Sequence, residues 1–215
     1  MPRNVKSRAA RPYTRTLLRA VEYACWVAGG LAVFWFVLVC YERASFQAGA
    51  AADLASLPEI NTAEPLHSGD LVGTISVPRV GISAIIAEGA DEATLRRAVG
   101  HVPGTARPGM PGTLALAAHR DTFFRPLRRI RIGDSIVVGT GRQEYTYRVV
   151  RTLVVSPNQV GVLKPSSGSD LALVTCFPFD YIGPAPKRFI VQAVQVAPDE
   201  ASEHAVMPSA KPIGK

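Results

Sequence analysis

The feature that most constrains this chain is a run of nineteen residues, 23–41 (YACWVAGGLAVFWFVLVCY), that contains no charged side chain. As an α-helix rising about 1.5 Å per residue, the run would be about 28 Å long, close to the hydrocarbon thickness of a bilayer. Trp26, Trp35 and the tyrosines at both ends are of the types found at membrane–water interfaces. The run therefore predicts a transmembrane helix near the N-terminus.

Two other interpretations fit this run less well. A cleaved signal peptide usually has a shorter apolar region, and only the weak candidate AGAAA at 48–52 offers a small-residue cleavage site. A buried core helix of a soluble domain would have a polar face, and this run has none. An uncleaved, single-pass anchor is the prediction that remains.

The net charge of +7 is concentrated in the N-terminal segment. Six basic residues and no acidic ones lie in the first twenty positions: Arg3, Lys6, Arg8, Arg11, Arg15 and Arg19. The positive-inside rule then predicts a cytoplasmic tail over 1–22, with everything after residue 42 outside the membrane. Because the remainder of the chain is close to neutral, the basic balance does not indicate a nucleic-acid-binding face.

The three cysteines agree with this arrangement. Cys25 and Cys40 lie inside the predicted membrane helix, so Cys176 is the only cysteine in the part predicted to be exported. It has no partner for a disulfide there and no zinc-type spacing. A lone thiol outside the cytoplasm is exposed to oxidation, which makes a catalytic role a reasonable hypothesis.

The exported part is predicted to be mainly β-structure. Residues 42–67 are Ala-rich and then Pro-punctuated, which predicts a juxtamembrane helix and spacer, and 197–215 have the composition of a disordered tail. Between them, in 68–196, strands are predicted at 70–77, 82–87, 113–119, 132–138, 144–155, 171–176 and 187–196. About eight short strands with little helix indicate a closed β-barrel.

The connections between these strands also have recognisable signals. Residues 91–97 are predicted to form a short helix with Asp91 as its N-cap. Three prolines and three glycines make 101–112 a long rigid loop, and 121–129 a turn or 3₁₀ segment. A linker with a short helical turn is predicted within 156–169.

Two of the predicted strands end in reactive side chains. One apolar strand ends at His119, a second ends at Thr175-Cys176, and Arg188 begins the strand that follows. A thiol nucleophile needs a neighbouring group that exchanges a proton, and a donor for the oxyanion that forms when it attacks a carbonyl. If the strands lie side by side, His119 and Cys176 supply the first pair and Arg188 the donor.

Other candidates near these residues have plainer explanations. Asp121 could orient His119, or it could equally cap the 123–125 segment, and Thr175 could contribute to the oxyanion site although threonine is common in strands. Of the other histidines, His67 and His204 fall in the spacer and the tail, and His101 is predicted to be structural. No acidic cluster indicates a calcium site, and neither a metal nor a cofactor is expected.

The segments T113–L127 (TLALAAHRDTFFRPL) and L171–V191 (LALVTCFPFDYIGPAPKRFIV), together with the anchor, resemble the sortase family. Sortases are membrane-anchored cysteine transpeptidases with an eight-stranded β-barrel. Their TLxTC motif corresponds to the strand that ends at Cys176, with the leading threonine replaced here. The sequences HRDTFFR from residue 119, CFPF from residue 176 and PKRF from residue 186 are most similar to those of class D sortases. The resemblance covers roughly residues 68–196.

The resemblance implies a two-step reaction and a set of roles. Cys176 would attack the Thr–Gly or Thr–Ala bond of an LPxTG-like sorting signal and form a thioacyl intermediate, which an amine from a cell-wall peptide or another protein resolves. His119 would act as acid and then base, and Arg188 would hold the oxyanion. From their position, Phe177, Phe179 and Tyr181 are expected to shape the substrate groove. The expected partners are proteins with a sorting signal, an amine acceptor and the membrane.

Three other functions are weaker alternatives. An L,D-transpeptidase would have a glycine before its cysteine and a histidine close upstream, whereas here His119 lies far upstream of Cys176. A non-catalytic, membrane-tethered barrel that binds a partner would be expected to have lost one of His119, Cys176 or Arg188, and all three are present. Hydrolysis by a sortase without transfer remains open.

Overall fold

The computed structural model describes residues 12–56, 65–141, 143–159, 168–181 and 183–197. A single helix, α1 (Pro12–Ser56), contains the whole predicted anchor. It includes a segment, Thr16–Leu54, that is long and apolar enough to cross a membrane. Residues up to Ala44 form one unit and those from Ser45 onward form a second, compact unit.

The second unit is a closed barrel of eight strands, as the sequence predicts. The strands are β1 (Leu71–Val77), β2 (Ile82–Glu88), β3 (Val99–His101), β4 (Gly112–Ala117), β5 (Ser135–Gly139), β6 (Glu144–Val155), β7 (Ser169–Phe177) and β8 (Lys187–Gln195). Their order around the barrel is β1-β2-β3-β4-β7-β8-β6-β5, with β2–β3 and β4–β7 parallel and the other pairs antiparallel. The described helical elements of this unit are the end of α1, the short helix α2 (Glu92–Arg97) and 3₁₀ turns at Pro78–Val80 and Arg125–Arg129.

One strand, β3, is absent from the sequence prediction, which placed His101 at the start of a loop. It is only three residues long and follows α2 directly, so it has too few residues to show an alternating pattern. Gly100 at its centre lies against the backbone: a Cβ atom there would be 2.2 Å from the carbonyl oxygen of Gly89. The strand is therefore placed by a close approach of two chain segments at Gly100, together with burial of Val99 in the main core.

The helical turn predicted within 156–169 falls largely on 160–167, and most of the predicted tail falls on 198–215. The predicted cytoplasmic tail includes residues 1–11, and the predicted spacer includes residues 57–64. All of these lie outside the described residues.

The barrel interior determines which side chains face outward on the strands that carry the candidate site. On β7, Leu171 and Leu173 are fully buried members of the main core, and on β4 Leu114 and Leu116 are their neighbours in register. Since successive side chains of a strand point to opposite faces, the alternate positions of both strands face out of the barrel. This alternation brings Cys176 to the outer face at the end of β7.

His101 is a buried structural residue, as the sequence predicts. Its Nδ1 contacts the carboxylate of Glu88, and its Nε2 lies 3.1 Å from the carbonyl oxygen of Ala106. Both side chains are almost completely inaccessible to solvent. A buried carboxylate needs such a partner, and this pair joins β2 and β3 to the loop that leads to β4.

The last turns of α1 pack on the barrel, a contact that the predicted juxtamembrane helix and spacer over 42–67 did not include. Ala50 and Leu54 are buried against Ile85 of β2, with Phe46 beside them. The Gln47 side chain accepts a hydrogen bond from the Ile85 amide and donates one to the Arg97 carbonyl, both 2.8 Å long. Pairing of β2 with β3 begins only at Ile86, so the Ile85 amide lies on an open strand edge. Gln47 satisfies this amide and also the carbonyl of Arg97 at the end of α2. Residues 45–56 are thus part of the folded unit.

We expect Leu54→Ala to lower the free energy of unfolding of a 45–215 fragment by about 2–3 kcal/mol, because it removes a buried side chain whose site is closed by the barrel. Guanidinium unfolding followed by circular dichroism measures this. Ile132→Ala, at a side chain that is 70% exposed, is the matched control and should change stability by less than about 0.5 kcal/mol. Equal stability of the two variants would contradict docking of this segment.

Candidate active site

Cys176 and Arg188 are direct neighbours across the antiparallel β7–β8 pair. Side chains that are paired in this way lie on the same face, with their Cβ atoms about 5 Å apart. Both are partly exposed, and both lie on the outer face. The register therefore makes Arg188 the cross-strand neighbour of Cys176, on the same face of the sheet, as the sequence predicts.

His119 follows the end of β4, which runs parallel to β7 with Ala117 level with Val174. Beyond that pair the two segments remain hydrogen-bonded, since the Ala118 amide donates to the Val174 carbonyl at 3.2 Å. His119 is the next residue, so it lies close to this end of β7, and the β4–β7 ladder stops two residues before it. The three residues that the sequence singled out thus come from neighbouring ends of β4, β7 and β8.

Thr175 acts as a tie between these strands. Its buried hydroxyl donates to the carbonyl of Ala118 over 2.7 Å. Alternation turns this side chain to the interior, away from the thiol. Because its hydroxyl proton is committed to Ala118, Thr175 supports the site by fixing the residue before His119, and its hydroxyl does not donate to an oxyanion in this arrangement.

The His119 ring contacts a carboxylate that the sequence analysis did not single out. Its Nε2 lies 3.6 Å from Oε2 of Glu92, the first residue of α2. Asp121, the predicted partner, is exposed and forms no hydrogen bond or ion pair among the described residues. It does not cap the 3₁₀ turn either, since no side chain caps that turn at Phe124. A contact between α2 and the end of β4 is tertiary, so spacing could not have revealed Glu92.

The helix that carries Glu92 is held by its predicted N-cap. Asp91 accepts hydrogen bonds from the Ser68 hydroxyl and from the amide and hydroxyl of Thr94. These bonds, that from Ser68 first, lower the pKa of Asp91 to about 2. The cap is therefore charged at neutral pH and keeps the first turn of α2 formed beside His119.

The Arg188 side chain is anchored to its own loop. Its Nη1 donates to the carbonyls of Ala185 and Lys187, at 3.2 and 3.0 Å. Within the described part of the chain, its Nε and Nη2 donate to no protein acceptor. An arginine held at one nitrogen, with charged donors left on the others, is suited to receive an oxyanion next to Cys176.

Aromatic rings surround the start of the loop between β7 and β8. Phe177 and Phe179 meet edge to face with centroids 6.0 Å apart, and Phe189 of β8 lies 5.3 Å from Phe179. Phe179 and Phe189 also pack against the main core. Tyr181 is 47% exposed, so of the predicted groove-lining residues it presents the most surface to a ligand.

Two arginines that the sequence analysis did not single out bind this loop. Arg120, immediately after His119, donates to three loop carbonyls, and Arg128 pairs with Asp180. The adjacency of Arg120 to His119 was visible in the sequence, but the loop carbonyls lie about sixty residues further on, so its role could not be inferred. Among the described residues no group of histidine, cysteine and acidic side chains is arranged to hold a metal.

A closed barrel with a thiol, a guanidinium and an imidazole at neighbouring strand ends has the layout of a thiol-dependent acyl transferase. A family model described as Sortase domain matches residues 75–196, more than half of the chain. The chain belongs to the sortase family, and its motifs are most like those of class D.

Known relatives agree with this assignment. Sortase D of Bacillus subtilis is 32% identical over 131 residues, 60% of this chain and 66% of that protein. Sortase SrtE1 of Streptomyces coelicolor is 32% identical over 123 residues, 48% of this chain and 35% of that protein. The chain thus spans less than two-thirds of the length of these curated relatives. A Clostridium perfringens Sortase D5 transpeptidase structure shares the fold, with a TM-score of 0.64 and 24% identity over 73% of this chain and 99% of that one.

Proposed function

We propose that this chain is a membrane-anchored cysteine transpeptidase that cuts an LPxTG-like sorting signal and joins the released protein to an amine at the cell envelope. The observation that carries the proposal is the direct β7–β8 pairing of Cys176 with Arg188, with His119 two residues beyond the end of the neighbouring strand β4. Membership of the sortase family supports the reaction class.

In the first step, the Cys176 thiolate attacks the carbonyl carbon of the signal's threonine. The carbonyl oxygen becomes an oxyanion, which the unused donors of Arg188 stabilise. As the intermediate collapses, the C–N bond to the following glycine or alanine breaks, and the protonated His119 gives its proton to the leaving amine. The product is a thioester between Cys176 and the threonine, with neutral His119 beside it.

In the second step, an amine attacks the thioester carbon. His119 takes the proton from the incoming amine, and Arg188 again holds the oxyanion. The C–S bond then breaks, the Cys176 thiolate leaves and a new amide bond remains. His119 and Cys176 return to their starting protonation states, so the cycle needs no cofactor. Of the aromatic residues predicted to shape the groove, Tyr181 would flank the bound signal, because Phe177 alternates to the face of β7 opposite Cys176 and Phe179 packs against the main core.

The same proposal includes a topology. Residues 1–22 would be a cytoplasmic tail, 23–41 the single membrane span, 42–67 the connection to the barrel and 68–196 the catalytic barrel outside the membrane, with 197–215 a disordered tail. The basic N-terminal flank favours this orientation, and sortases act at the cell envelope. Within 42–67, residues 45–56 belong to the folded unit of the barrel.

The test is a mass-spectrometric assay of the full chain in detergent with a panel of LPxTG-type peptides and a primary-amine peptide. We expect cleavage after the threonine, a protein adduct with the mass of the acyl fragment on Cys176, and the amide-linked product. Release of the free acid at the same rate with and without the amine would indicate a hydrolase instead. Failure to cleave any peptide of the panel would contradict the proposed substrate class.

A further inference from the structure

One side chain binds the loop between the two strands that carry Cys176 and Arg188. Arg120 donates from Nη1 to the Pro178 carbonyl at 3.1 Å, and from Nη2 to the carbonyls of Tyr181 and Gly183 at 2.7 and 2.9 Å. Its guanidinium also lies 5.8 Å from the centroid of the Tyr181 ring. All four contacts fall within the β7–β8 loop, residues 178–186.

These contacts connect the three candidate catalytic residues through one group. Arg120 is bonded covalently to His119, and the loop that it binds begins two residues after Cys176 and ends two residues before Arg188. The parallel pairing of β4 with β7 ends near Ala118. Beyond that point, the Arg120 guanidinium joins the residue after His119 to the loop that leads from Cys176 to Arg188.

The other contacts described for this loop anchor its first part or are weak. The aromatic cluster of Phe177, Phe179 and Phe189 anchors only the first part of the loop. The Arg128–Asp180 pair is solvent-exposed on both sides, and exposed pairs contribute little. Among the described contacts, Arg120 alone binds the carbonyls of Tyr181 and Gly183, in the half of the loop that leads to Arg188.

We propose that Arg120 is a positioning residue, which fixes the β7–β8 loop against the His119 segment and so sets the spacing of the thiol, imidazole and guanidinium. This inference rests on the proposed transpeptidase function. Arg120 contacts backbone carbonyls and a ring, and none of the reacting atoms. Its effect is on geometry, where an error of about 1 Å can cost on the order of 10²-fold in rate. The planar fork that reaches three carbonyls is specific to arginine, because lysine offers one ammonium group.

The test compares Arg120→Ala and Arg120→Lys with Arg128→Ala in the full chain in detergent. Arg128→Ala is the matched control, since it removes an arginine bound to the same loop through a single exposed pair. We expect Arg120→Ala to lower kcat about 10- to 100-fold with KM changed less than about threefold. Arg120→Lys should fall between it and the native chain, and Arg128→Ala within about threefold of the native chain.

A second readout reports the loop without using activity. Chymotrypsin cleavage after Tyr181 in the folded protein requires the loop to open, so its rate follows the anchoring of the loop. We expect Arg120→Ala to accelerate this cleavage at least about tenfold while the thermal unfolding of the barrel stays close to that of the native chain. Arg120→Lys should accelerate it less, and Arg128→Ala should not.

The outcomes separate the two proposals. A native kcat in Arg120→Ala, equal losses in the Arg120 and Arg128 variants, or a loss of kcat with unchanged cleavage after Tyr181 would each overturn the positioning role. If Arg120→Ala does not fold, native kcat and native cleavage in Arg120→Lys would overturn it. An inactive native chain would contradict the transpeptidase function, and the proteolysis comparison would still decide whether Arg120 holds the loop.

Discussion

Replacing Cys176 with alanine is expected to lower cleavage of an LPxTG-type peptide by at least about 10⁴-fold, with no thioacyl adduct on the protein. The thiol supplies the electron pair for the bond to the substrate, and alanine has none to offer. In enzymes of this kind the nucleophile, base and oxyanion donor act as a unit, so losing the nucleophile removes nearly all of the chemistry. The partly exposed position at the end of β7 leaves the core leucines of that strand in place.

The chain provides its own controls for this prediction. It has two other cysteines, Cys25 and Cys40, both in α1. The Cys25→Ala/Cys40→Ala double variant should cleave at the native rate and should still form the acyl adduct. Peptide mass mapping after alkylation assigns the adduct to Cys176. Native cleavage by Cys176→Ala would contradict the mechanism proposed here. Loss of activity in the double variant alone would indicate that the reactive thiol is Cys25 or Cys40 in α1.

The strands that carry the candidate site could be predicted from the sequence because each has its own signal, whereas their pairing was only a condition of the catalytic hypothesis. The apolar runs ending at His119 and Cys176 are long enough to indicate buried strands. The turn residues between the runs mark where each strand ends, and so indicate how many strands there are. The closed eight-stranded barrel is confirmed. The catalytic roles of His119, Cys176 and Arg188 remain predictions, although the structure brings all three to one end of the same three strands.

The features that the sequence did not reveal are those that depend on contacts between distant segments. Glu92 lies beside His119 only because α2 packs near the end of β4, and Arg120 meets its carbonyls across about sixty residues of chain. The last turns of α1 show the same limit. In the sequence Gln47 is an ordinary polar residue of the predicted spacer, and only the structure shows that it accepts a hydrogen bond from the Ile85 amide at an open edge of β2. None of these residues is marked by spacing or composition.

The second large effect is expected at Arg188. Arg188→Ala should lower kcat by about 10²–10³-fold, the usual loss when a donor to an oxyanion is removed. The negative charge forms only on the way to the tetrahedral intermediate, so the loss should appear mainly in kcat, with a smaller rise in KM if the arginine also holds the signal's backbone. Steady-state kinetics with a fluorogenic LPxTG-type peptide separates the two parameters.

Two further variants, Arg188→Lys and Lys187→Ala, distinguish the role of the Arg188 side chain from a general effect of positive charge. Arg188→Lys keeps the positive charge but loses the planar fork, which is held at Nη1 and has further donors at Nε and Nη2, so kcat should be restored only in part. Lys187→Ala removes a neighbouring positive charge whose side chain alternates to the opposite face of β8, and it should leave kcat within about threefold of the native value. If Lys187→Ala and Arg188→Ala lost the same activity, the general positive charge at the start of β8 would be the cause. If Arg188→Ala retained the native kcat, the oxyanion would have to be stabilised by other donors near Cys176.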